Sequence, residues 1–259
     1  MLFDLLTRKS YGFLLMGALA GACTSERTPE PETPFRDDVR HPHDSHSDAS
    51  ASDAAPNLDC QRGFITHIAG PSIDAAGQPA PEYGPGSGFG QDRYPDVVFG
   101  PPQGSSIQEG SLDVLSLGAK GTVIVGFADE GITDGEGADF IVFENVLYEL
   151  GDPSKPYAEL GEISVSSDLE TWHTFPCASD EQPYIGCAGW HPTYAHPDNS
   201  ISPFDPETAG GEAFDLAELG LAQARYVRIR DLNNTGFGGN TSGFDLDAIS
   251  VIHPACALP

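Results

Sequence analysis

Carboxylates crowd one stretch of the chain. Asp129-Glu130-Gly131-Ile132-Thr133-Asp134-Gly135-Glu136-Gly137-Ala138-Asp139 sets five acidic side chains among three glycines. A hard cation such as Ca²⁺ takes about six to eight oxygens, supplied by carboxylates and carbonyls on a loop that bends sharply. Gly135 and Gly137 permit that bend. The spacing and flanking helices of an EF-hand are absent. Asp245 and Asp247 lie two apart on an expected strand, so they should share a face. Glu144-Asn145 and Asp231-Leu232-Asn233-Asn234 add oxygens at strand ends. The expected set for a structural calcium ion is Asp134, Glu136 and Asp139, helped by Asp245 or Asp247. The plain alternative is an Asp/Gly turn on an acidic surface.

A second group sits between Cys177 and Gly211. It holds Tyr184, Trp190, His191, Tyr194, His196, Asp198 and five prolines. Aromatic loops carried on a rigid scaffold commonly hold sugar or protein ligands. Trp190, His191, Tyr194 and His196 are therefore the expected ligand-binding residues. Trp190 would stack on a sugar, or else plug the loop onto the scaffold. His191 and His196 with Asp198 are a candidate Cu²⁺ or Zn²⁺ set, as are His41, His43 and His46 nearer the N-terminus. That is the basis of an alternative, metal-handling function. No G-x-S-x-G, H-E-x-x-H or P-loop motif is present. Acidic pairs suited to glycoside hydrolysis abound by composition alone, so a surface glycan hydrolase is the weaker alternative.

Short strands must carry these residues. Thirty glycines and 22 prolines in 259 residues leave no room for long helices. Val123, Val125 and Phe127 alternate, as do Ile163 with Val165 and Val227 with Ile229. Asp139 to Glu144 is apolar on both faces, as in a central strand. Gly63–Ile68, Leu112–Leu117, Trp172–Phe175 and Phe244–Ile252 read as further strands. Gly211–Leu221 carries the one helical hint. No fixed period recurs, which excludes a solenoid or propeller. The pattern predicts an all-β domain, a β-sandwich of jelly-roll type with long loops.

Two stretches resemble discoidin-like, galactose-binding-like domains. They are Ser164-Val165-Ser166-Ser167-Asp168-Leu169-Glu170-Thr171-Trp172 and Ala224-Arg225-Tyr226-Val227-Arg228-Ile229. Leu169 stands where those domains usually carry a turn glycine. Other stretches are similar to a bacterial cell-surface protein family of unassigned activity. They are Gly100-Pro101-Pro102, Ser111 to Gly118, Thr133 to Asn145 and Gly243 to Ala248. This likeness implies a fold and a location, and no activity.

The N-terminus reads as an address. Arg8 and Lys9 precede the apolar run Phe13–Ala22, too short to span a bilayer and of signal-peptide length. Leu19-Ala20-Gly21-Ala22-Cys23 resembles a bacterial lipoprotein signal, with Cys23 as the lipidated residue. Thr24 after that cysteine points to the outer membrane. Residues 24–58 are rich in Pro, Ser, Asp, Glu and Ala, as in a flexible tether. The expected organisation is a signal peptide over 1–22, lipidated Cys23 with its tether over 23–58, and a sandwich over 59–259.

Four further cysteines in an exported chain read as two disulfides. Cys177–Cys187 would clip the long loop. Cys60–Cys256 would tie the ends of the folded part together. Thirty-nine acidic against 12 basic residues give a net charge of −27. That excludes a basic nucleic-acid footprint and disfavours adhesion to anionic lipid. The chain should thus be a lipid-anchored binding or adhesion module at the cell surface, with a glycan or a surface protein as partner.

Overall fold

The computed structural model describes residues 61–104, 110–128, 131–234 and 243–256. The leader, Cys23, the tether with its histidines, Cys60, Asp129 and Glu130 lie outside the described residues.

Ten strands form two antiparallel five-stranded sheets. In chain order they are β1 (Gly63–Phe64), β2 (His67–Gly70), β3 (Leu115–Ser116), β4 (Thr122–Gly126) and β5 (Phe140–Glu144). Next come β6 (Gly161–Ser166), β7 (His173–Thr174), β8 (Glu212–Phe214), β9 (Tyr226–Asp231) and β10 (Asp245–Val251). One sheet runs β7-β6-β9-β4-β2. The other runs β1-β10-β5-β8, with β3 also paired to β10.

Alternation explains how the sheets meet. Val123, Val125, Ile163, Val165, Val227 and Ile229 present one buried face of the first sheet. Phe140, Val142, Phe214, Leu246, Ile249 and Val251 of the second sheet enter the same core. Each fully buried large side chain contributes about 1.5–3 kcal/mol from water exclusion. Phe140 stacks on Phe214 with centroids 5.3 Å apart, and Phe175 meets it edge-on at 6.1 Å. The chain is thus all-β and sandwich-like. The outer face of β5 is also covered: Ile141 and Phe143 pack with Ala195, Ala209, Ala248 and Ile252. That second apolar layer is why β5 is hydrophobic on both faces.

Two expected elements differ. Gly63–Ile68 is two strands in two sheets, not one. The chain crosses between sheets at Ile65, which enters the core, and Thr66, whose N–H donates to the Gly126 carbonyl. Gly211–Leu221 is not a helix of two or three turns. It begins as β8, paired in register with Phe140–Val142, and ends in one 3-10 turn, Leu216–Leu219. Edge pairing that buries Glu212 and Phe214 outweighs weak helix propensity.

The Cys177–Cys187 disulfide is formed. Cys256 is disulfide-bonded as well. The Cys60–Cys256 pairing involves a residue outside the described ones. No helix among the described residues is long and apolar enough to cross a membrane.

Candidate metal centre at one end of the sandwich

Glu144 ends β5 and continues the inward alternation of Phe140 and Val142. Glu159 lies two residues before β6 and continues the alternation of Gly161 and Ile163. Asp245 opens β10, directly across from Ser116 of β3. Strands of both sheets thereby bring three carboxylates to one end of the sandwich. Glu144, Glu159 and Asp245 are each at most 5% exposed. One oxygen from each lies within 4.8 Å of the other two. That span is about twice a Ca–O distance of ~2.4 Å, the width of one coordination sphere.

The local backbone draws these carboxylates together. Gly243 N–H donates to Glu159 Oε1 at 2.8 Å, and Asp245 N–H donates to Glu144 Oε1 at 3.1 Å. Between them, Phe244 N–H donates to Asp231 Oδ2 at 2.9 Å. Three successive amides thus enter three different carboxylates. Gly243 is required here. Its φ is +91°, and a Cβ would fall 2.6 Å from the Gly118 backbone.

Four oxygens at the cluster are not satisfied. Glu144 Oε2, Asp245 Oδ1, Asn145 Oδ1 and Ser116 Oγ are buried without a hydrogen-bond partner. Ser116 and Asn145 approach Asp245 closely enough to lower its pKa, though the Ser116 hydroxyl falls short of full hydrogen-bond geometry and the Asn145 Oδ1 has no donor. Burial holds the Glu144 pKa well above the ordinary carboxylate value, helped by the charges of Asp245 and Glu159. Burial, opposed by the Gly243 N–H and helped by Asp245 and Asp231, puts Glu159 at about 7. Burial puts Asp245 at about 6. Leaving a buried polar atom unpaired costs about 1–3 kcal/mol, and more for a charge. Three carboxylates, an amide oxygen and a hydroxyl oxygen in one place can hold a metal ion. With no nitrogen or sulfur in the set, the ion would be a hard one.

A cavity of about 240 Å³ opens beside the cluster. Glu159, Asp245 and Asn145 form one side, and Phe89, Leu112, Leu147 and Tyr157 supply apolar walls.

The residues expected to bind calcium do not all share one site. Asp139 precedes Phe140 at the far end of β5 from Glu144, roughly 17 Å away along the strand. Asp134 and Asp139 instead meet Asp215 in a second acidic group. There Asp139, fully buried, is already saturated. Its Oδ1 accepts from Gly135 N–H and pairs with His253 Nδ1, and its Oδ2 accepts from Leu216 N–H. It staples the loop, the C-terminal segment and the turn after β8. Glu136 is exposed and belongs to neither group. Asp245 and Asp247 are separated by a register shift between Leu246 and Ala248. A bulge breaks the period-two alternation. Asp247 accepts from Gln103 N–H, and burial raises its pKa to about 8.

The expected ligand loop is also divided. Trp190 packs on Tyr184 and His191 and against the satellite core of Ala158, Leu160 and Cys187. The backbone N–H groups of Gly189, Trp190 and His191 all donate to the buried carboxylate of Glu212. Trp190 and His191 line a cavity of about 280 Å³, which Tyr194 and His196 do not line. His196 Nδ1 accepts the Asp198 N–H, a turn contact. Among the described residues, neither His191 nor His196 joins a metal-ligating group.

No family model matches the chain, and no curated protein matches it.

Proposed function

We propose that the protein is a lipid-anchored cell-surface binding module. Its sandwich, of the jelly-roll, galactose-binding-like type, holds a calcium ion at Glu144, Glu159 and Asp245. One observation carries the calcium reading: four buried oxygens without partners, on Glu144, Asp245, Asn145 and Ser116, at a cluster of three carboxylates. A divalent cation would satisfy all four and offset the burial, and the lesser mutual repulsion, that raise the carboxylate pKa values. The lipobox-like run ending at Cys23 and the acidic tether support export and anchoring. Oxygen-only ligands favour calcium over copper or zinc. Mg²⁺ fits less well, since it demands tighter octahedral geometry.

Thermal melting in Ca²⁺ and in EGTA, at one fixed ionic strength, tests this. Fixed ionic strength matters because salt alone stabilises a chain of net charge −27 by screening. Calcium at a hundredfold excess over its Kd adds about 2.7 kcal/mol, or roughly 5–10 °C for a domain of this size. Glu144→Gln should remove the calcium response and raise the melting temperature in EGTA, because one like charge leaves the cluster. Equal melting in the two buffers defeats the proposal.

A further inference from the structure

We infer that the cavity between β2, the hairpin of Ser72–Ile73 with Pro79–Ala80, and the segment 94–99 binds a small organic cation, a protonated amine on an aromatic body. The site shares no residue with the acidic end cluster and does not rest on the calcium reading.

The cavity measures about 400 Å³, within the roughly 300–1,000 Å³ of sites that take small molecules. Ile68, Tyr94 and Phe99, all packed against the main core, give it apolar walls. Tyr94 Oη donates to the Pro79 carbonyl at 3.0 Å, which ties one wall to the other. The His67 ring lies on the β4 backbone, since a Cβ at Gly126 would fall 2.2 Å from its Nε2. Asp74 sits at the hairpin turn. Its Oδ1 accepts from Ala76 N–H at 2.9 Å and from Gln78 N–H at 2.8 Å, so the carboxylate is held in place. Its Oδ2 takes no hydrogen bond from the described residues.

Charge and walls together select the ligand class. Among the described residues, Asp74 is the one carboxylate that lines the cavity, and no lysine or arginine does. Burial, helped by the Arg225 charge, lowers the His67 pKa, which keeps the imidazole neutral. Burial, helped by Tyr83 and Asp74, pushes Tyr94 up to about 12, which keeps the phenol neutral. An anion would meet Asp74 and a chain of −27. A hard metal ion takes about six oxygens or more, and Asp74 joins no metal-ligating group among the described residues. A neutral apolar molecule would desolvate Asp74 and return nothing for it. A protonated amine pairs with Oδ2, and its charge is drawn to the aromatic rings of Tyr94 and Phe99. An aromatic body then fills the apolar remainder of the cavity.

Calorimetry on the full chain in a non-ionic detergent, with the detergent blank subtracted, tests the inference. Phenethylammonium is titrated beside its neutral analogue phenethyl alcohol and the anion phenylacetate. One fixed ionic strength is used, because any cation is drawn to a chain of −27. The amine should bind about tenfold tighter than the alcohol, and phenylacetate should bind weakest. Asp74→Asn keeps an oxygen for the turn amides and removes the charge. It should weaken the amine about threefold and leave the alcohol unchanged. Asp180→Asn, at an exposed position that lines no part of the cavity, removes an equal charge and should change neither. Equal binding of amine and alcohol would overturn the inference, as would no binding of the amine. An equal loss in Asp74→Asn and Asp180→Asn would also overturn it, since the attraction would then be diffuse. The amine and alcohol are compared on the wild type, so that result decides even if Asp74→Asn does not fold.

Discussion

Two buried aspartates show how identical side chains take different work. Asp139 has three donors on its two oxygens, while Asp245 has an oxygen with none. The first is spent on structure and the second is available. Asp139→Ala should therefore cost about 2–4 kcal/mol, since it strands the buried Leu216 N–H and takes the partner from the Gly135 N–H and the His253 imidazole. Its calcium-dependent shift in melting temperature should equal that of the wild type. Loss of that shift would move the metal site to Asp134, Asp139 and Asp215. A third aspartate carries a pH signature. Asp168 is exposed, and its Oδ1 accepts from Thr171 and Glu170 N–H and from Ser166 Oγ. Those bonds, the two amides foremost, lower its pKa from 3.8 to about 2. A lowered folded-state value favours the folded protein above the unfolded pKa. The contribution fades as pH falls through the folded one. The stability gap between wild type and Asp168→Asn should thus be constant above pH 3.8 and close toward pH 2. A gap that is flat across that window, in denaturant titrations, would count against the assignment.

At the scale of elements, the β6–β7 turn is strained at Leu169. Leu169 takes φ +67°, the left-handed region that Asp168 and its acceptor bonds impose. A branched side chain pays about 1 kcal/mol or more there, and glycine does not. Leu169 is 40% exposed, so little packing is lost on its removal. Leu169→Gly should stabilise the protein by about 0.5–1 kcal/mol, after allowance for glycine's extra freedom when unfolded. A lower melting temperature for the variant would show that its side chain packs more than its exposure suggests. The same turn holds Trp172, whose indole N–H donates to the Leu169 carbonyl and whose ring lies 4.3 Å from the Arg228 guanidinium. That contact joins β9 to the turn and explains why an arginine stands on the outer face of β9.

At the scale of the whole molecule, the acidic character divides into two parts. Most of the carboxylates among the described residues are at the surface, but Glu144, Glu159, Asp139, Glu212, Asp231, Asp245 and Asp247 are buried. Buried charges without cationic side chains nearby need backbone amides, protons or an ion. Asp139 and Glu212 each use amides and a histidine, His253 and His191, and Asp231 uses amides. Among the described residues the end cluster has fewer amides than oxygens, which makes it the group that could hold an ion. The anchor is a separate property of the chain. Palmitate should label the protein, and globomycin should block its processing at Cys23. Unlabelled protein released into the medium would remove the lipid anchor from the proposal while leaving the calcium site untouched.

The all-β class was legible in the sequence, because pleated strands impose a period of two that Val123/Val125, Ile163/Val165 and Val227/Ile229 carry openly. The local clip Cys177–Cys187 was legible for a similar reason: ten residues separate the pair, and little else was near enough. The presence of buried oxygen ligands at strand ends could be suspected from Glu144-Asn145 and Asp245. Their company could not. Glu159 carries no local signal at all, in a chain with 39 acids. It joins Glu144 and Asp245 only because β5 and β10 pair antiparallel with Leu246 opposite Glu144, while β6 approaches from the other sheet. Asp247 leaves that company through one extra residue at a bulge, and Asp139 through its place at the opposite end of the same strand. Local chemistry writes the period of each strand. Register, sheet pairing and bulge position are set by contacts more than a hundred residues apart, and they alone decide which carboxylates come together.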